Sequence, residues 1–275
     1  MINQLLIILG LIMGSITDIQ RREVNDFLSY SMIMLAFIIA VTQAIFETTL
    51  TPIIDTTIGF VLGILIGVLL FYLGQWGGGD AKILMGIGAL MGVSINEITT
   101  GLPLFIIFIL VTMIMGSFYG LFWMLYLAIK NGEKFIKAYK KEKEKKIAVL
   151  LKKVYLAVVI PIAILLMTLQ LETESLLLLA SLFILIAFLL YLFFFVRAVE
   201  KSCFIKKIPV ERLTEGDWVT NHPKNIKISE TGIKSEEIET LKEKGIKKVT
   251  VTEGVPFVPS FLIAYLFILY YIHFL

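Results

Sequence analysis

The sequence predicts an all-α polytopic membrane helix bundle with about eight apolar segments and a small α+β lobe before the last span. Two observations predict this class. The 275-residue chain is 58% hydrophobic with a mean hydropathy of +0.89, whereas soluble domains are about half apolar. Several uninterrupted apolar runs also approach or exceed the roughly 20 residues that a helix needs to cross a bilayer.

The apolar segments define the expected domains. They cover 2–19, 27–46, 53–74, 81–95, 101–129, 147–169, 174–198 and 256–274. The first lacks a basic start and a small-residue cleavage site, so we expect a retained span. The fourth is short, which leaves a tilted, partly buried or re-entrant element open. We therefore predict a membrane bundle over 1–198, a lobe over 199–255 and a last transmembrane helix over 256–275.

The loop charges predict the orientation of the chain in a cell membrane. If all eight segments cross, the loops on one side carry no Lys or Arg; they are 47–52, 95–100 and 170–174. The loops on the other side carry Arg21, Arg22, Lys82, the stretch 130–146 and the lobe. Because cytoplasmic loops hold the Lys and Arg excess, we expect this second side to be cytoplasmic and both termini to lie outside.

Two cytoplasmic segments have further patterns. The stretch 130–146 holds eight lysines and three glutamates. It predicts a solvated helical extension, or a surface attracted to anionic membrane lipids at about 1 kcal/mol per basic residue. In the lobe, Ser235 is predicted to cap a helix that Gly245 ends, and the alternation of Val249 and Val251 with threonines predicts a strand.

Small residues mark the helix faces that pack. Gly10 and Gly14 are four residues apart, and Asp18 continues the series, so all three share one face. Small residues at this spacing let helices approach closely in lipid. The same pattern occurs at Gly59, Gly63 and Gly67 and at Gly116 and Gly120. Asp18 is therefore expected to face the bundle interior.

Two carboxylates are expected at the same membrane depth. Asp18 ends the first span and Asp80 opens the fourth segment, both at the cytoplasmic boundary. Ionisable residues at such positions are costly and usually functional. Two neighbouring carboxylates share one proton, so one can activate water while the other polarises a carbonyl, as in an aspartic peptidase. Asp80 as a helix cap and Asp18 as an anchor paired with Arg21 or Arg22 remain alternatives.

The stretch W-G-G-G-D-A-K surrounds the second carboxylate. We expect Gly77, Gly78 and Gly79 to adopt backbone conformations closed to other residues and to leave room for a substrate strand. Lys82 and the helix N-terminus would help to hold the Asp80 charge.

Composition excludes several classes of site. The chain has one cysteine, Cys203, and two histidines, which excludes a disulfide framework and a four-cysteine zinc site and disfavours a histidine-rich metal site. We expect no cofactor, no metal and no nucleic-acid partner. The oligomeric state is left open.

The segments D-I-Q-R-R-E-V-N-D, G-G-G-D-A-K and P-F-V-P-S-F-L resemble the archaeal type IV prepilin and preflagellin peptidases of the GxGD aspartic class. The resemblance implies that Asp18 and Asp80 are catalytic and that Gly77 and Gly79 are the GxGD glycines. The family commonly has Ile or Val, then Pro, then Asn or Asp after the first aspartate; here Asn25 replaces the Pro.

The resemblance also implies a function. We expect an endopeptidase that removes a short basic leader from prepilin or preflagellin precursors at the cytoplasmic face. Glu23 and Asp26 are candidates to attract that leader, with solvated-loop roles as the alternative. The chain lacks the paired-cysteine domain of bifunctional members, so no N-methyltransferase activity is expected. Another GxGD intramembrane peptidase and a proton-coupled transporter using the acidic pair remain alternatives.

Overall fold

Helices form most of the chain in the computed structural model, which describes residues 1–168, 173–221 and 232–274. Each of the eight predicted apolar segments contains one helix. The helices are α1 (Ile2–Arg21), α2 (Asp26–Glu47), α3 (Thr51–Tyr72), α4 (Gly78–Met91), α5 (Ile95–Thr100), α6 (Leu104–Lys130), α7 (Gly132–Glu144), α8 (Lys146–Thr168), α9 (Thr173–Ser202), α10 (Ser235–Glu243) and α11 (Val258–Phe274). The strands are β1 (Ile205–Pro209), β2 (Trp218–Asn221) and β3 (Lys248–Thr252), and a 3-10 turn covers Val210–Arg212.

Helix length and hydropathy support a multi-pass membrane protein. Within the described residues, five helices are long and apolar enough to cross a bilayer: Ile2–Arg21, Asp26–Glu47, Thr51–Tyr72, Leu104–Lys130 and Glu174–Ser202. A shorter apolar helix covers Val258–Ile272. The helical membrane class is therefore confirmed, and the number of eight spans stays a prediction. Part of the predicted 170–174 loop lies outside the described residues.

Packing divides the chain into two units. The first contains Met1–Phe122 and Val255–Leu275, and the second contains Trp123–Gly254. The predicted domains followed hydropathy, whereas these units follow packing, so α8 and α9 belong to the same unit as the lobe.

Helices α3 and α4 pack backbone against backbone in the first unit. A Cβ at Gly59 would collide with the carbonyl oxygen of Gly88, and one at Gly63 would lie 3.0 Å from the Leu84 oxygen. A Cβ at Gly67 would lie 3.1 Å from the Ala81 oxygen. The spacing of small residues on the third span therefore marks a close helix contact, as expected.

Helix α4 contacts α1 and α2 in the first unit. Near its start, Lys82 pairs with Asp26 at the start of α2. At its end, the Asn3 side chain donates to the Leu90 carbonyl (2.9 Å), so α4 runs antiparallel to α1. Its 14 residues span about 21 Å at 1.5 Å per residue. The predicted 81–95 segment thus contains one short helix that ends at Met91, and whether it crosses the membrane stays a prediction.

The predicted inward face of α1 is observed. Gly10, Gly14 and Asp18 are buried; Gly10 lies against Met32, and Gly14 lies against Ile83.

The two glycines of α6, Gly116 and Gly120, have different surroundings. Gly116 lies against the Phe257 ring, but Gly120 has no neighbour within 4 Å among the described residues. The prediction that Gly120 also packs is therefore wrong, because a Cβ added there would enter open space.

The lobe in the second unit contains an antiparallel sheet in the order β1-β3-β2. Val249 and Val251 are buried, as the alternation predicted, and they pack with Leu241 of α10 and Ile233. Gly245 has a positive φ of 67° just after α10. Ser235 is the first residue of this helix rather than its cap, and the Glu237 carboxylate accepts the Lys234 N–H instead. Strands β1 and β2 were not predicted from the sequence.

The lysine-rich stretch forms a separate packed helix, α7, rather than a solvated extension alone. Its Phe135 ring contacts Phe195 of α9 at a centroid distance of 5.5 Å. Glu142 is 6% exposed and pairs with Lys145 and with Lys201 of α9. Burial opposes ionisation of Glu142, but hydrogen bonds and charges from the two lysines outweigh it and lower its pKa. The Glu142 carboxylate therefore joins α7 to the end of α9.

Gly59→Ala is expected to destabilise the protein, because a Cβ there meets the backbone of α4. Overpacking typically costs about 1–3 kcal/mol. Gly120→Ala is the matched control, since its Cβ enters open space and alanine favours a helix by roughly 1 kcal/mol. The free energy of unfolding in detergent checks both variants. Equal stability would contradict the packing assigned to α3 and α4.

Glu142→Gln is expected to loosen the contact between α7 and the end of α9. Buried Cys203 follows Ser202, the last residue of α9, so its thiol should react several-fold faster with a maleimide than in wild type. The pKa of Glu142 is lowered on folding, so its contribution is present at neutral pH and lost as the pH falls below roughly 4. Glu144 is exposed, so Glu144→Gln is the control. Equal maleimide reactivity of Cys203 in Glu142→Gln and Glu144→Gln would contradict the contact between α7 and the end of α9.

Candidate active site

Asp18 lies in the last turn of α1 and is 7% exposed. Its Oδ2 accepts a hydrogen bond from the backbone N–H of Val258 (3.0 Å), the first residue of α11. The first N–H groups of a helix have no partner within the helix and favour a negative charge. The start of α11 therefore stabilises the Asp18 carboxylate.

Asp80 is the third residue of α4 and is partly buried. Its Oδ2 accepts the N–H of Gly77 (2.9 Å), which satisfies a donor just before the helix. The capping alternative thus describes part of its role, although Asp80 lies inside the helix rather than at the cap.

The two carboxylates occupy the same end of the first unit. Helix α1 packs against α4 where Gly14 contacts Ile83. Asp18 follows Gly14 by about one turn of α1, and Asp80 precedes Ile83 by about one turn of the antiparallel α4. The negative charge of Asp18 acts electrostatically on Asp80. The arrangement thus contains two interacting acids with different surroundings.

Trp76 anchors the glycine-rich turn, a role that was not predicted from the sequence. Its buried ring packs against Phe257 and Phe261 with centroid distances of 5.5 and 5.0 Å. Phe257 in turn fills the space left by Gly116 of α6. The motifs W-G-G-G-D-A-K and P-F-V-P-S-F-L both contain aromatic residues, which could have indicated this role. Nothing in the sequence showed that these aromatic residues contact each other.

The glycines of the W-G-G-G-D stretch do not need special backbone conformations. None of them has a positive φ; Gly77 is extended before α4, and Gly78 and Gly79 are helical. The expectation of conformations closed to other residues is therefore wrong. Gly79 has a different constraint, because an added Cβ would lie only 3.0 Å from the Val24 Cβ, which is a tight contact. Gly77 and Gly78 are exposed.

The charged residues near this end form a different pairing from the one predicted. Lys82 Nζ contacts Asp26 Oδ1 at 2.6 Å rather than supporting Asp80, because the start of α2 lies beside α4. Asn25, which replaces the Pro of the motif, caps α2 through a hydrogen bond to Phe27 N–H. Glu23 is exposed in the loop between α1 and α2.

Across the described residues, no cluster of three metal-binding side chains occurs.

Comparisons with known proteins identify relatives of this region. Residues 5–121 match the type IV leader peptidase family. Over 84 residues the chain is 38% identical to a preflagellin peptidase of Methanococcus voltae, covering 30% of this chain and 36% of the relative. Over 91 residues it is 34% identical to a preflagellin peptidase of Methanocaldococcus jannaschii, covering 33% and 38%. The matched part thus spans less than two fifths of these curated relatives. No solved structure matches the chain.

Val258→Pro is expected to destabilise the protein relative to Val258→Ala. Proline is tolerated at the first helical position but has no N–H, so the variant removes the donor to Asp18. Alanine keeps that donor and removes side-chain atoms. A hydrogen bond to a charged group contributes about 1.5–3 kcal/mol, so the free energy of unfolding should differ by that amount. A proline variant as stable as the alanine variant would contradict the assigned role.

Proposed function

We propose that this chain, whose residues 5–121 match the type IV leader peptidase family, is a membrane aspartic endopeptidase with Asp18 and Asp80 as its catalytic acids. The observation that carries the proposal is the convergence of these two acids at one end of the first unit. Asp18 is held by α11 and Asp80 by the glycine turn. Both positions belong to the matched region.

The proposed reaction needs only the two acids and water. The ionised carboxylate takes a proton from water as the water oxygen attacks the peptide carbonyl carbon, and the protonated acid gives its proton to the carbonyl oxygen. When the tetrahedral intermediate collapses, the first acid protonates the leaving nitrogen and the C–N bond breaks. The second acid regains a proton from the intermediate's hydroxyl. Both acids then return to their starting states.

The proposed substrate is a precursor with a short basic leader followed by an apolar helix. The curated relatives are preflagellin peptidases, which favours a preflagellin precursor and keeps a prepilin precursor as the second candidate. Arg21, Arg22 and Lys82 lie at the same end as the acids, which supports a cytoplasmic site by the loop-charge rule. In that orientation the leader–helix junction reaches the depth of the acids.

The leader would meet the loop between α1 and α2 and the exposed glycines. Asp26 is paired with Lys82, so exposed Glu23 is the stronger candidate to attract a basic leader. An extended peptide could lie along Gly77 and Gly78, which are exposed. We propose cleavage without N-methylation, since the one cysteine of the chain cannot replace the paired-cysteine domain of bifunctional relatives.

Asp18→Asn and Asp80→Asn are each expected to abolish precursor cleavage in membranes, because an amide can neither accept nor deliver the required proton. The loss should be at least about 100-fold. Asp55→Asn is the matched control, because Asp55 lies on α3 at the opposite end of the first unit. Incubation with preflagellin and prepilin precursors, read by the mass of the product, also gives the preferred substrate and whether its new amine is methylated.

The outcomes separate the candidate functions. Cleavage at the leader–helix junction by wild type and Asp55→Asn alone supports the proposal. Continued cleavage by both aspartate variants would return the acids to capping and anchoring roles. Cleavage of other membrane proteins alone would favour a different GxGD peptidase. Absence of any cleavage, combined with proton-driven uptake that requires both acids, would favour the transporter.

A further inference from the structure

Arg22 has an unusual backbone conformation directly after α1. Its φ and ψ are 61° and 25°, in the left-handed region, which residues other than glycine rarely adopt. Its N–H donates to the Asp18 carbonyl oxygen (2.9 Å). Arg22 therefore caps α1 four residues after Asp18 in a conformation that the end of α2 also uses at Thr48, and the cap places its side chain next to the last turn of α1.

The Arg22 side chain is half-buried, and part of its guanidinium is covered by the protein. Its Nη1 has essentially no exposed surface, and its charge acts on both the Asp18 carboxylate and the Tyr119 hydroxyl. A buried cation is costly unless opposite charges or hydrogen bonds compensate for lost hydration. The neighbouring Arg21, by contrast, is exposed.

Tyr119 approaches Asp18 from another helix. It lies on α6 three residues after Gly116, which contacts Phe257 next to the Val258 donor. Its hydroxyl is buried, and the charges of Asp18 and Arg22 both act on it.

The surroundings of the two acids therefore differ in charge. Asp18 has a cation, a helix start and a tyrosine around it, contributed by the end of α1, by α11 and by α6. The charge that acts on Asp80 is the Asp18 carboxylate, and its donor is one neutral N–H. Burial disfavours the charged form of both acids. The cation beside Asp18 offsets part of that cost, whereas the second carboxylate adds to the cost at Asp80.

We propose that Arg22, assisted by Tyr119, is a positioning residue that holds Asp18 as the ionised member of the acid pair. Asp18 then takes the proton from water, and Asp80 supplies the proton to the carbonyl. This assignment rests on the proposed peptidase function for its catalytic meaning. The electrostatic role of Arg22 can be measured without that function.

The first experiment measures the protonation of Asp18 directly in the full-length protein in detergent. Dicyclohexylcarbodiimide modifies protonated carboxyls in apolar surroundings, and mass spectrometry of peptides reports the rate at Asp18. Arg22→Gly removes the guanidinium while keeping the left-handed backbone, which glycine adopts readily. We expect several-fold faster modification of Asp18 than in wild type, and the wild-type rate in Arg21→Gln, which removes an equal charge from the same loop.

The second experiment measures the pH dependence of precursor cleavage. In Arg22→Gly, kcat should fall about 10- to 100-fold with KM little changed. The pH of half-maximal activity on the acid side should move upward by about one pH unit, the smallest effect expected of a nearby opposite charge. Arg22→Lys should partly restore kcat and the pH of half-maximal activity. Tyr119→Phe should change both quantities in the same direction as Arg22→Gly, but by a smaller amount.

Two results would overturn the proposal. One is an equal rate of Asp18 modification in Arg22→Gly and Arg21→Gln, and the other is an unchanged pH of half-maximal activity on the acid side in Arg22→Gly. If wild type cleaves no precursor, the peptidase function fails, but the carbodiimide comparison still decides the role of Arg22. If Arg22→Gly is poorly folded, Arg22→Lys with wild-type modification and Tyr119→Phe with faster modification would support the proposal. The opposite pattern would reject it.

Discussion

The hydrogen bond from the Val258 N–H to Asp18 determines the arrangement of the site, because it fixes the start of the last helix against the end of the first. Other elements depend on that start. Phe257 fills the space beside Gly116 on α6, and Trp76 packs on the same aromatic group. Since Trp76 immediately precedes the turn that holds Asp80, α11 connects the positions of both acids. A short hydrogen bond and an aromatic contact thus relate residues that are far apart in the chain.

A second constraint is the close approach of α3 and α4. Apolar side chains gain little from burial against each other in lipid, so helices associate through tight contacts between small residues. Gly59, Gly63 and Gly67 let α3 lie directly on the backbone of α4. Because α4 carries Asp80 in its first turn, this contact helps to fix the second acid independently of the contact with α11.

The sequence predicted the features that depend on local spacing. The inward face of Asp18, the glycine face of α3 and the strand at Val249 follow from helix and strand periodicity. Gly120 shows the limit, because spacing identifies a face but not whether another helix lies opposite it. The Asp26–Lys82 pair, the Val258 donor and the Trp76 anchor all join distant segments, and one sequence without an alignment contains no signal for such pairings. The catalytic roles of Asp18 and Asp80 remain predictions.

The two acids also differ in access, and this limits how a peptide can approach. Asp18 is nearly covered by α1 and the start of α11, whereas Asp80 is partly exposed beside the exposed Gly77 and Gly78. A peptide bound over the exposed glycines would meet the protein on the side of Asp80, the acid proposed to supply a proton to the carbonyl. The difference in exposure and the charge around Arg22 consequently favour the same division of roles between the two acids.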